Sequence, residues 1–147
     1  MSTEVEFNSE NTYEVESDSL NYFLDLVEIA LVSEEEGEKD YYIRNLIEYY
    51  YTKLISKVRV NYYKGLVEEV LDRVAKLDLY NYISEFGIEK FRELFRLCII
   101  GELNESFKDL AIKFLSPFDL AKGDLEELRT RAILFITMGI SSGLSIE

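Results

Sequence analysis

The chain has 147 residues, 48% of them hydrophobic and 14% aromatic, with a formal net charge of -13 and no histidine. That length suits one domain with a self-sufficient core, and the missing histidine excludes Ser-His and Cys-His nucleophile pairs and the commonest zinc ligand. The charge is uneven: the acids from Glu4 to Asp40 face a single base, Lys39, whereas the remainder of the chain is close to neutral.

Residues 1–17 are charged and show little periodicity, so an acidic, flexible N-terminus is expected there. Its composition reads against a secretory signal or an arginine-rich transit peptide. No apolar run approaches the roughly 18 residues that span a bilayer. A soluble, cytoplasmic protein without a membrane partner is expected. Ser17-Asp18-Ser19 supplies N-cap chemistry. Leu20, Phe23, Leu24, Val27 and Leu31 then recur at helical spacing, predicting a first helix over residues 18–33. The stretch "SEEEGEKD" from Ser33 to Asp40 reads as a charged linker.

From Tyr41 the helical pattern is long. Ile43, Leu46, Ile47, Tyr50, Leu54 and Val58 share a face that Tyr51, Ile55 and Tyr62 widen, which implies burial against more than one neighbour. Gly65 is a place to dent or end this helix, after which Leu66, Val70, Leu71 and Val74 continue a stripe. Asp78 is placed to cap a short helix, "LYNYISEF", and Gly87 to stop it. "IEKFRELFRLCII" (Ile88–Ile100) begins as an amphipathic helix, but its β-branched tail reads equally as a strand.

Beyond Gly101 the signals conflict. A helix fits from Asn104, yet residues 110–115 ("LAIKFL") also alternate as a strand does. Pro117, the only proline, has no N–H and disfavours helix at Ser116. Gly123 permits a positive φ, and Asp124 fits an N-cap with Glu126 and Glu127 in the first turn, where the helix dipole favours acids. Residues 132–140 ("AILFITMGI") read as helix or strand. The fold class is therefore mainly α: a helical bundle with a long second helix, then a small C-terminal module with room for short β-strands. The expected division is an N-terminal segment at 1–17, a helical domain at 18–95 and the module at 96–147.

Little in the chain suggests catalysis. Cys98 sits in "FRLCIIG" and reads as a small buried hydrophobe. Neither GxGxxG nor GxxxxGK[ST] occurs, and no spaced carboxylate loop for calcium is present. The acids lie in runs with the look of solvated faces, so a non-enzymatic chain without cofactor or metal is expected. The lack of glutamine and tryptophan together with abundant Lys and Glu points to a thermophilic, archaeal source.

The stretch from Tyr49 to Val67, "YYYTKLISKVRVNYYKGLV", contains bases and tyrosines but no acid. Lys53, Lys57, Arg59 and Lys64 are candidate phosphate contacts, with Tyr62 or Tyr63 as a stacking ring. The acidic N-terminus is a potential competitor for that patch. Tyr50, Leu54, Val58 and Tyr62 are candidates for packing against a partner subunit, since tyrosine offers a large ring with a polar tip. The same residues also suit this chain's own core.

Pro117-Phe118, Lys122-Gly123-Asp124, Leu128, Ala132 and Gly139-Ile140 form an order that resembles the small C-terminal module of archaeal GINS subunits of the helix-first, strand-last type. The resemblance implies strands joined at Lys-Gly-Asp, with the Ala-to-Gly segment a short helix packed on them. It further implies a non-catalytic scaffold, in a hetero-oligomer that links the MCM helicase to a RecJ-like partner. The alternative is an accessory helical subunit of a primase or CRISPR effector, touching nucleic acid through the basic-aromatic stretch.

Overall fold

A computed structural model of the chain describes residues 17–60 and 64–144. The expected flexible N-terminus and the candidates Tyr62 and Tyr63 lie outside the described residues. Seven α-helices are present among the described residues: α1 (Ser17–Val32), α2 (Glu36–Tyr49), α3 (Lys64–Val74), α4 (Leu79–Phe86), α5 (Ile88–Ile100), α6 (Glu105–Leu115) and α7 (Leu125–Gly139).

Helices α1 and α2 pack as a pair joined by Ser33–Glu35, so the charged linker is shorter than its composition suggested. Tyr22 near the start of α1 meets Tyr49 at the end of α2, which makes the pair antiparallel. The long second helix runs on past Tyr49, in altered form. Tyr50–Leu54 is a π turn in which the Ile55 N–H donates to the Tyr50 carbonyl, and Ile55–Lys57 tightens to a 3₁₀ turn. Thr52 and Ser56 hydroxyls donate to the carbonyls of Glu48 and Thr52, four residues back. Such back-bonding loosens a helix locally. The chain is extended at Val58 and helix resumes at Lys64, so Gly65 lies inside α3 instead of ending a helix.

The expected C-terminal strands are absent among the described residues, and both ambiguous segments are helical. In α6, Phe107, Ala111, Phe114 and Leu115 are buried while Ile112 and Lys113 are exposed, a three-to-four-residue period incompatible with strand alternation. Asn104 starts this helix by accepting from the Phe107 N–H at 2.9 Å. In α7 the apolar run is long because the helix is surrounded: every residue from Leu128 to Ile136 is buried. A helix covered on all sides reads as continuously hydrophobic, which is why its sequence mimicked a strand. The tail of α5 is helical for a like reason, with Leu97, Cys98 and Ile99 all buried, and Gly101 in the left-handed region closes it.

Lys122-Gly123-Asp124 forms the start of α7 and joins no strands. Gly123 has φ 91°. Asp124 accepts from the Glu127 N–H at 2.9 Å and the Glu127 carboxylate accepts from the Asp124 N–H at 2.8 Å, a reciprocal capping box. Pro117 opens a 3₁₀ turn that delivers Phe118 to the side of Phe135 and Tyr82, with ring centroids 5.0 Å from each. Aromatic contacts continue through Phe114, Phe91, Phe95 and Phe23 to Tyr50, so one ring cluster ties α1, the π turn, α4, α5, α6 and α7 together. The domain boundary expected at residue 95 falls inside α5, and the buried residues form one cluster on both sides of it.

Removing the cap tests this account of α7. Asp124→Ala should lower unfolding stability by about 1 kcal/mol in urea denaturation, and no loss would mean that burial alone sets the helix start.

Candidate nucleic-acid interface

The basic-aromatic stretch begins at the π turn. That turn holds Tyr50 and Leu54 inward, both fully buried, while Tyr51, Thr52 and Lys53 face outward. Tyr50 stacks among Phe23 and Phe95, and its hydroxyl lies 2.6 Å from the Thr137 Oγ1. Burial pushes the Tyr50 hydroxyl pKa well above the ordinary tyrosine value. Tyr50 and Leu54, expected as partner-facing residues, thus belong to this chain's own core. The reason is energetic: burying each such side chain contributes about 1.5–3 kcal/mol, and the nearest apolar surface is internal. Val58 is half-buried against the same core.

The four bases have a different placement. Lys53, Lys57, Arg59 and Lys64 are all exposed. Lys64 makes a loose pair with Glu68 at 3.9 Å, and none of the other three has an ion-pair partner among the described residues. The backbone carrying them is pinned from below. Arg129, buried in α7, donates from Nη1 to the Arg59 carbonyl at 3.0 Å and from Nε to the Cys98 carbonyl at 2.7 Å. Its Nη2 is buried without a hydrogen-bond partner among the described residues. One buried guanidinium therefore fixes the extended segment against the end of α5.

Lys53, alone of the four bases, lines an open cleft of about 220 Å³ together with Tyr22, Asn45, Glu48, Tyr49 and Thr52. Tyr22 and Tyr49 meet edge to face at 4.8 Å, and Tyr22 is 51% exposed. Tyr22 and Asn45 fall outside the acid-free stretch, so composition did not single them out. Their signal is helical phase: Asp18, Tyr22, Asp25 and Ile29 lie along one face of α1, opposite Phe23 and Val27.

Elsewhere, among the described residues, no group of three or more His, Cys, Asp or Glu is placed to hold a metal ion, and no helix is long and apolar enough to cross a membrane. Cys98 is buried, and desolvation pushes its thiol up to about 12, against the opposing effect of the Arg129 charge. Glu69 on α3 meets Lys122 at 2.7 Å and Arg131 at 3.2 Å. The Lys122 ammonium, followed by the Arg131 guanidinium, holds the Glu69 carboxyl below its ordinary value. No family model, curated protein or solved structure matches this chain. The class that its fold and surface define is an all-helical bundle with a basic, tyrosine-flanked segment beside an open cleft.

Glu69 ionises more readily folded than unfolded, so its contribution is complete above the unfolded carboxylate's pKa and is lost as pH falls through the folded one. Glu69→Gln should cost about 1–2 kcal/mol at neutral pH in urea denaturation, and the gap from the parent chain should close in acid. A gap unchanged at acid pH would contradict the pairing. Cys98 should resist iodoacetamide in the native state and react once denaturant unfolds the chain; rapid native alkylation would place the thiol at the surface.

Proposed function

We propose that this chain is a non-catalytic helical subunit of a nucleic-acid-processing assembly, and that it contacts the phosphate backbone through Lys53, Lys57, Arg59 and Lys64. One observation carries this reading: the four bases are all exposed in a stretch of sequence without acids, and three of them have no carboxylate partner among the described residues. Unpaired cations beside exposed tyrosines suit phosphates and bases. Four phosphate contacts make a weak binder by themselves, which is why the activity is assigned to a subunit and not to a free-standing protein.

A scaffold role in a replication complex of the GINS type is the second reading. It is supported by exposed apolar side chains on the outer face of α1: Tyr22, Ile29 at 39% and Val32 at 72% exposure. Such a face gains by burial against a partner helix.

Binding of a labelled single strand, followed by fluorescence anisotropy across a salt titration, tests the first reading. Affinity should fall with salt at a log–log slope of about -0.7 per phosphate contact. Lys53→Glu with Lys57→Glu should weaken binding roughly tenfold or more and flatten that slope. Affinity indifferent to salt, or to both substitutions, would reject it.

A further inference from the structure

We infer that the cleft between α1 and the π turn seats one unpaired base of a bound single strand, with guanine the best fit. This rests on the nucleic-acid reading above and adds to it a specificity determinant.

The cleft places two tyrosine rings, edge to face, beside polar groups without side-chain partners among the described residues. Tyr22 and Tyr49 supply the rings. Tyrosine faces are stacking surfaces for any base, and stacking does not depend on sequence. The Asn45 amide, the Glu48 carboxylate and the Lys53 ammonium all line the same cleft, and none has a side-chain partner among the described residues. Thr52 is different, because its hydroxyl is committed to the Glu48 carbonyl at 2.8 Å.

The signs of these charges orient the ligand. Lys53 attracts a phosphate, and the exposed Lys57 and Arg59 follow it in the chain. Glu48 repels one, so the backbone must track the lysine side and the base edge must turn to Glu48. A carboxylate only accepts hydrogen bonds. Guanine is the base with two adjacent donors on its pairing edge, N1–H and the N2 amino group, and they match the two oxygens of a carboxylate. The Asn45 amide then has the neighbouring O6 acceptor to satisfy. Adenine and cytosine each offer one amino group there, and thymine one N–H, so each leaves part of the carboxylate unmatched.

The test uses a short labelled oligothymidylate whose central position is dG, dT or an abasic sugar, measured by anisotropy with the full chain. The dG strand should bind about tenfold tighter than the abasic strand, with dT between them. Tyr22→Leu and Glu48→Gln should each erase the dG advantage. Both positions are exposed, so a cooperative urea transition like the parent's should accompany each variant. Lys57→Glu should weaken all three strands alike. Equal binding of the three strands, still weakened by Lys57→Glu, overturns the base seat and leaves the phosphate reading standing. Failure of every strand to bind at low salt overturns both. Free guanosine monophosphate that binds as tightly as the dG strand, unaffected by Lys57→Glu, would make the cleft a nucleotide site and overturn the assignment to a strand.

Discussion

Helix α7 carries Arg129, Thr130 and Arg131 in the middle of a run that is buried on every side, and the need to satisfy those polar groups constrains the elements around it. A buried guanidinium without hydrogen bonds would cost several kcal/mol. Arg131 meets this demand with Glu69 on α3 and the Lys122 carbonyl. Arg129 meets it in part, its Nε and Nη1 donating to backbone carbonyls from α5 and from the extended segment after the π turn. Arg129 thereby ties α7 to two distant parts of the chain, and Arg131 ties it to α3 and to the loop just before α7. The hydroxyls of Tyr50 and Tyr80 add ties at the other end, to Thr137 and to the Ile140 carbonyl.

The candidate surface follows from that constraint. Because Arg129 anchors the Arg59 carbonyl, the Arg59 side chain is left to project outward from a fixed backbone. The π turn has a matching effect one step earlier. Tyr50 and Leu54 continue the buried face of Ile43 and Leu46 through it, while Tyr51, Thr52 and Lys53 fall outside. Single π turns inside helices are frequent at functional sites, and here the turn lies between the ring cluster and the exposed bases.

Charge is partitioned along the chain with the same logic. Two of the three bases of α5 are paired, Arg92 with Asp25 and Glu28 on α1 and Arg96 with Glu93, while Lys90 lies over the Phe86 ring. These partly exposed pairs contribute little to stability, but they remove cations from competition for an anionic ligand. Lys53, Lys57 and Arg59 have no ion-pair partner among the described residues, and Lys64 has only the loose pair with Glu68. A chain with net charge -13 thus presents a local basic face.

Much of this architecture was legible in the residues alone. Helix boundaries set by local chemistry were: Asp78 and Gly87 delimit α4, Asn104 opens α6, and the Asp124–Glu127 pair opens α7, each through hydrogen bonds within a few residues. Burial of Cys98 in an apolar run was equally local. What depends on distant partners was not. Strand and helix could not be separated in residues 132–140, because a helix surrounded by α3, α5 and α6 loses the polar face that marks its period. Spacing placed Tyr50 and Leu54 on the apolar face, but not whether a partner or this chain's own core would cover them, since that depends on the helices packed around the π turn. The meeting of Tyr22 with Tyr49 depends on the antiparallel pairing of α1 and α2. Sequence determined the helices, their caps and an acid-free basic stretch, because those arise from neighbours along the chain; only tertiary packing decided which faces were left to solvent, because burial is a property of all the helices at once.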